Sequence, residues 1–250
     1  MKALTLAIGA TVLIAQPAFE VASVKPSGPQ QQLLNGLFTY PGGRVTCSGC
    51  WLEYLIEEAF DVQEYQIAGA PDWKRDKFDL EAKPPVSSKS SGFWTSNAKL
   101  PPPPEEREML RALLKERFRL EAHRETKQGT VFFLVRTRKP LKLTPAKDPD
   151  AFPWTGSPRN GMIRGDGVAG QNISMPLFAV RLSSYMERPV IDHTGLKGSF
   201  DFSFRYEGEP DRDVASSILR SVESLGLKLK SGKGPVETIV IDRVEKLTAN

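Results

Sequence analysis

Cysteine, histidine and long hydrophobic runs are all scarce in this 250-residue chain, and each scarcity removes a class of function. Only His123 and His193 stand beside Cys47 and Cys50, at no spacing that metal sites use, so no metal is expected. A Gly-x-Ser-x-Gly elbow is missing, which leaves Asp192-His193 with Ser183 or Ser184 no context for nucleophilic catalysis. Chain neighbours such as Asp192 and His193 also point apart, and a histidine in a turn is the plain reading. Lys and Arg number 34 against 30 Asp and Glu, scattered without a basic block or aromatic-basic interleaving, so nucleic acid is not an expected partner. Past the N-terminus no apolar stretch approaches the roughly 20 residues that span a bilayer, and no transmembrane segment is expected in the mature chain. No cofactor is expected either.

What is present suits a globular, exported protein. Hydrophobic residues make up 40% and charged residues 26%, enough to bury a real core. Met1-Lys2, the apolar run from Ala3 to Ala15 and the small residues of Ala15-Gln16-Pro17-Ala18 read as a secretory signal peptide over residues 1–18. The expected location is therefore periplasmic or extracellular.

The second half repeats the first. A segment at 43–50, an apolar helix pattern and Phe78-Asp79 have counterparts in 167–174, a second helix pattern and Phe200-Asp201. The helix at 105–118 with its following strands matches 214–225 and the strands after it. The expected domains are a first repeat over 19–145 and a second over 146–250, packed as separate units or as one. Sequential helix-strand-strand units predict an α+β fold, with small antiparallel sheets and helices packed on one face. Pro104 suits a first helical position, Ser174 an N-cap, and Gly226 a left-handed helix end. Strands are expected at Arg119–His123 and Val131–Arg136, and at Leu227–Lys230 and Val236–Val244 around a turn at Gly232 and Gly234-Pro235. Residues 84–104, rich in Pro and Ser, read as a surface loop.

Cys47-Ser-Gly-Cys50 is the local motif with chemistry attached. Two cysteines before a helix N-terminus fit a reversible redox pair, and in an oxidising compartment they fit a static disulfide. The second-half counterpart, Gly170-Gln-Asn-Ile173, has no cysteine, so the scaffold does not need the pair. Trp73, Trp94 and Trp154 are candidate stacking residues for a carbohydrate or peptide, against the plainer role of covering a core edge. Arg164-Gly-Asp166 reads as a chance tripeptide in a glycine-rich turn.

Phe19 to Pro26, Ala70-Pro-Asp-Trp73, Leu113 to Leu120 with His123-Arg-Glu-Thr126, Asp192 to Phe202, and Gly234-Pro-Val-Glu237 with Ile241 to Lys246 carry a resemblance over nearly the whole mature chain. The chain resembles a paralogous family of uncharacterised exported proteins expanded in soil Acidobacteria, a related domain being appended to some membrane sensor metallopeptidases. The resemblance implies an extracytoplasmic sensing or binding module and brings no catalytic residue. More weakly, the repeats resemble the short N-terminal domains of secretins and TonB-dependent receptors. The expected function is thus a non-enzymatic binding or sensing module of the cell envelope, its partner an envelope protein or peptide. The alternative is a thiol-disulfide oxidoreductase using Cys47 and Cys50.

Overall fold

The computed structural model describes residues 17–28, 36–85, 94–95, 102–151, 153–156, 167–205 and 214–247. In chain order these form β1 (Val21–Pro26), β2 (Phe38–Thr39), β3 (Val45–Trp51), α1 (Leu52–Phe60), β4 (Ile67–Ala68), β5 (Lys77–Lys83), β6 (Trp94–Thr95), α2 (Pro104–Phe118) and β7 (Glu121–Arg136). Then follow β8 (Thr144–Pro145), β9 (Trp154–Gly156), β10 (Gly167–Ser174), α3 (Met175–Met186), β11 (Val190–Asp192), β12 (Ser199–Arg205), α4 (Val214–Ser224) and β13 (Leu227–Arg243). The fold is α+β, as expected. The Arg164-Gly-Asp166 tripeptide and most of the Pro-rich loop lie outside the described residues.

Helix ends follow their local chemistry. Pro104 opens α2, with Glu105 and Glu106 at the positive end of its dipole and Lys115 and Arg117 at the other. The Ser174 hydroxyl accepts from Leu177 N–H at 3.4 Å and caps α3. Gly226 closes α4 at φ 80°.

Three sheets carry the strands, in the orders β1-β5-β3-β2-β6, β8-β12-β10-β9 and β11-β7-β13-β4. The duplication is exact in register: β3 pairs with β5 as β10 pairs with β12, and each pair is interrupted once, between Cys47 and Cys50 and between Gly170 and Ile173. The third sheet corrects the expected strand-turn-strand endings. Each is one unbroken strand, and β7 and β13 run antiparallel from Leu227 opposite Arg136 to Arg243 opposite Glu121. Gly232 and Gly234 make no turn. A Cβ on Gly232 would lie 2.6 Å from the Phe133 ring, and one on Gly234 2.9 Å from Val131, so these glycines make room for side chains across the ribbon. Pro235 is tolerated because β4 pairs with β13 only at Ile239 and Val240, leaving that side of β13 open here. The sheet is also mixed, since β4 and β11 join it in parallel.

Those parallel pairings cross between halves: β4 bonds to β13, and β11 to β7. The long ribbon also serves both cores. One core gathers Leu52, Leu55, Ile56, Phe78, Leu80, Leu110, Leu114 and Phe118 with Leu120 before β7 and Ile241 late in β13. The other gathers Ile173, Met175, Phe178, Leu182, Phe202, Ile218 and Val222 with Leu134 late in β7 and Leu227 early in β13. The Tyr65 hydroxyl lies beside the Ser183 hydroxyl, a further approach of the two halves.

Candidate functional site

Cys47 and Cys50 lie just before α1, as expected, at the end of β3, which runs on through them to Trp51, and they are joined as a disulfide with Cα atoms 5.9 Å apart. They flank a β-bulge whose extra residue includes Gly49 at φ 67°. Asp79 fastens the bulge: its Oδ1 accepts from Gly49 N–H at 3.0 Å and from the Ser27 hydroxyl at 2.8 Å. Both cysteines are buried, at 1% and 3% exposure, within the first core. A thiol so enclosed meets no external disulfide, which weakens the redox reading of the motif.

Helix α1 carries acidic residues into partly dry surroundings. Glu53 is 3% exposed and held by Lys74 Nζ at 2.5 Å and Arg75 Nε at 3.4 Å, which gives the basic pair of the 72–75 turn its role. Glu58 has no such clamp. Burial pushes its carboxyl up to about 8, with Glu57, Asp61 and Glu106 adding repulsion and a hydrogen bond from Tyr54 opposing. On α2, Glu106 is pushed by burial up to about 7, although the Thr39 hydroxyl donates to it at 2.7 Å. By register α3 repeats α1, and the position matching Glu58 is Arg181. That residue is 4% exposed, and Nε, Nη1 and Nη2 all lack a hydrogen-bond partner. It lines a cavity with Thr155, Val168, Phe178, Leu182, Tyr185, Phe204 and Ile218.

A groove of about 650 Å³ runs between α2 and the end of the ribbon. Ala112, Leu120, Ala122 and Phe60 line it with small or apolar groups, and Glu108, Arg111, Lys115, Glu121 and Asp242 supply charges of both signs. Positions 108, 111, 112 and 115 fall on one face of α2. The Arg111 guanidinium donates to Ala59 O at 2.7 Å, which fixes one wall, and Asp242 accepts from His123 Nδ1 at 2.9 Å on the other side. The Asp242 hydrogen bond in turn raises the His123 pKa. Pro17, just ahead of β1, reaches the same groove.

The tryptophans do not share one surface element. Trp73 is half-buried and packs on the first core, covering its edge. Trp94 sits in β6 opposite Thr39, and Trp154 is half-buried in β9 opposite Gln171, in a different sheet. Asp192, His193 and Ser183 form no triad. Asp192 Oδ1 accepts from the N–H and hydroxyl of Thr194, His193 lies against Phe133 at 4.6 Å between ring centroids, and Ser183 accepts from Val190 N–H and donates to Ala179 O. Among the described residues no group of three or more His, Cys, Asp or Glu is placed to hold a metal, and no helix is long and apolar enough to cross a membrane. Sequence reasoning passed over Arg181, yet a signal was there: it is the sole charged residue in Met175–Met186 and shares a helix face with the apolar Phe178.

Fold and site together define a duplicated α+β module knit by one long ribbon, with a stapled bulge in its first half and an open groove along α2. The chain belongs to the family described as "Protein of unknown function (DUF3738)", which matches residues 53–244. Comparison with curated proteins and with solved structures gives no match.

Proposed function

We propose that the protein is an exported, non-enzymatic module of the cell envelope that binds an extended segment of a partner protein in the groove between α2 and the ribbon. The groove itself is the observation that carries this reading. Its 650 Å³ falls in the size range of ligand sites, its small Ala112 and Ala122 leave room for a main chain, and charges of both signs suit a peptide. Residues 19–145 and 146–250 act in this reading as one unit through the shared ribbon. A sensing role is in keeping with the resemblance to domains appended to membrane sensor metallopeptidases. Trp94 and Trp154 remain candidates for further contact with the partner.

The test places a photo-crosslinking side chain at Lys115 and compares it in the parent and in Ala112→Trp, which fills the groove from an accessible helix face. A discrete envelope partner, bound about tenfold or more weaker by Ala112→Trp, is expected. Absence of a crosslinked partner, or a partner indifferent to Ala112→Trp, overturns the reading. The thiol-disulfide alternative answers to a separate measurement: a Cys47–Cys50 potential below roughly −300 mV, with no reductase activity, sinks it.

A further inference from the structure

The two edges of the β7–β13 ribbon are not alike. On the β7 side, Phe132 N–H donates to Pro189 O at 2.8 Å and Leu134 O accepts from His193 N–H at 2.9 Å, where β11 joins in parallel. Backbone groups alternate in direction along a strand, and the register of β7 on β13 is unbroken from Ala122 to Arg136. Ala122, Arg124, Thr126, Gln128 and Thr130 therefore also turn N–H and C=O outward. Among the described residues no strand pairs with this stretch, and Arg124, Thr126, Lys127 and Gln128 are exposed to solvent. The Arg124 side chain reaches the other way, to Glu237 on β13 and to Phe60 O at 2.8 Å.

The β13 edge is closed to strand addition. The same alternation turns Pro235 and Glu237 outward there, next to the parallel pairing of Ile239 with Ile67. Pro235 has no N–H to offer, and Glu237 O already accepts from Gln66 Nε2 at 2.8 Å. Glu121–Arg136 contains no proline. One edge is guarded and the other is left able to take an extended strand.

Charge along the open stretch says which strand fits. Two copies of one strand that pair antiparallel are related by a two-fold axis, and hydrogen bonding requires outward residues to face outward residues. An axis at Glu125 sets that carboxylate against its own copy, and one at Lys127 sets two ammonium groups together. An axis at Thr126 sets Glu125 opposite Lys127 on both sides, and alternating charge continues the ion pair that Lys127 makes with Glu125 within each chain. Thr126 is also the midpoint of residues 122–130, so every outward residue finds a partner, Ala122 with Thr130 and Arg124 with Gln128. Axes nearer either end run the added strand into α2 or β11.

We propose that the open edge of β7 is a dimer interface, on which a second copy of this chain adds antiparallel about a two-fold axis at Thr126. The ribbon sheets of both copies then continue as one sheet. The pairing rests on the backbone of β7 and not on the groove reading, and it meets the groove only at Ala122.

The experiment measures self-association of the full chain by sedimentation equilibrium. A reversible monomer–dimer equilibrium is expected for the parent. Thr126→Pro removes the outward N–H and leaves the bonds to β13, as Pro235 does on the other edge, and the loss of two central hydrogen bonds should weaken the dimer by about 30-fold. Glu125→Lys and Lys127→Glu should each weaken it by about fivefold, and the two together should restore it. Thr126→Cys should link two chains on mild oxidation, since facing residues lie about 5.5 Å apart between Cα atoms, within disulfide reach. Gln128→Cys should not, because it faces Arg124 of the other copy. Circular dichroism confirms that Thr126→Pro is folded, and the cysteine pair tests the same register without breaking the strand. A parent that stays monomeric up to about 1 mM, or a dimer indifferent to Thr126→Pro, overturns the interface. Linkage through Gln128→Cys in place of Thr126→Cys overturns the axis.

Discussion

The same bulge is built twice in this protein and closed in two different ways. In the first half Cys47 faces Leu80 across the strand pair and Cys50 faces Phe78, and a disulfide ties the bulge shut. In the second half Gly170 faces Phe202 and Ile173 faces Phe200. A Cβ on Gly170 would lie 2.5 Å from the Phe202 ring, so the ring occupies the space that Cys47 fills in the first half. Covalent closure beside a leucine and van der Waals closure by a phenylalanine are alternative solutions on one backbone. The disulfide thus takes, in the first half, the position that the Phe202 ring takes in the second.

Breaking the second solution should have the largest effect. Phe202 is 7% exposed, its ring 4.8 Å from that of Phe178 and stacked with Phe204 at 6.4 Å. Phe202→Ala is expected to cost about 3–5 kcal/mol, read from urea unfolding, because it opens a cavity exactly where the bulge has no covalent tie. A cost below about 1 kcal/mol would mean that the ring does not close the bulge.

A second difference between the halves is electrostatic. Glu58 and Arg181 occupy one helical position with opposite charge, and the acidic member stands near Glu57 and Glu106, whose carboxyls burial also pushes up to about 7. Carboxyls with raised pKa bind protons more tightly in the folded state. Their contribution to stability is full below the ordinary value near 4.5 and falls as pH rises through about 7 to 8. Unfolding free energy should therefore drop between pH 5 and pH 8.5, by a few kcal/mol in order of magnitude. Glu58→Gln should flatten that slope and stabilise the alkaline end. A slope unchanged in Glu58→Gln would separate the acidic half from this account.

What the two bulges share is an aspartate. Asp201 Oδ1 accepts from Asn172 N–H at 2.9 Å and Oδ2 from Lys147 N–H at 3.2 Å, as Asp79 accepts from Gly49 and Ser27. Hydrogen bonds to a charged acceptor contribute about 1.5–3 kcal/mol, so Asp79→Ala and Asp201→Ala should each cost that much, and by similar amounts. Costs that differ by more than about 2 kcal/mol would show that one bulge leans on its aspartate and the other on its staple.

The Phe-Asp pairs were legible in the sequence only as a repeated feature, since each aspartate answers a bulge amide on the neighbouring strand about 30 residues earlier. Helix limits were legible because they answer a purely local need, at Pro104, Ser174 and Gly226. The ribbon was not. Gly232 and Gly234-Pro235 carry turn chemistry, and their strand conformation follows from Phe133 and Val131 on a partner strand about a hundred residues away. Arg181 was hidden likewise, since its burial depends on the packing of α3 against residues of the second core from β10, β12 and α4. Non-local packing decided what local pattern left open.

The smallest expected effect tests the backbone on which the comparison rests. Gly49 at φ 67° and Asn172 at φ 53° take the same left-handed conformation, which asparagine adopts more readily than other side chains. Gly49→Asn should therefore change stability by less than about 1 kcal/mol, whereas Gly49→Val, β-branched in that region, should cost about 1–2 kcal/mol or more. The reverse change is not its mirror image. Asn172 donates through its side-chain amide to Pro149 O at 2.8 Å and Ala151 O at 2.5 Å, so Asn172→Gly gains conformational ease but forfeits two hydrogen bonds. It should be the costlier of the two exchanges, by about 1 kcal/mol. If Gly49→Asn proves as damaging as Gly49→Val in urea unfolding, the first bulge tolerates no side chain at that position, and the two halves share a topology without sharing a backbone.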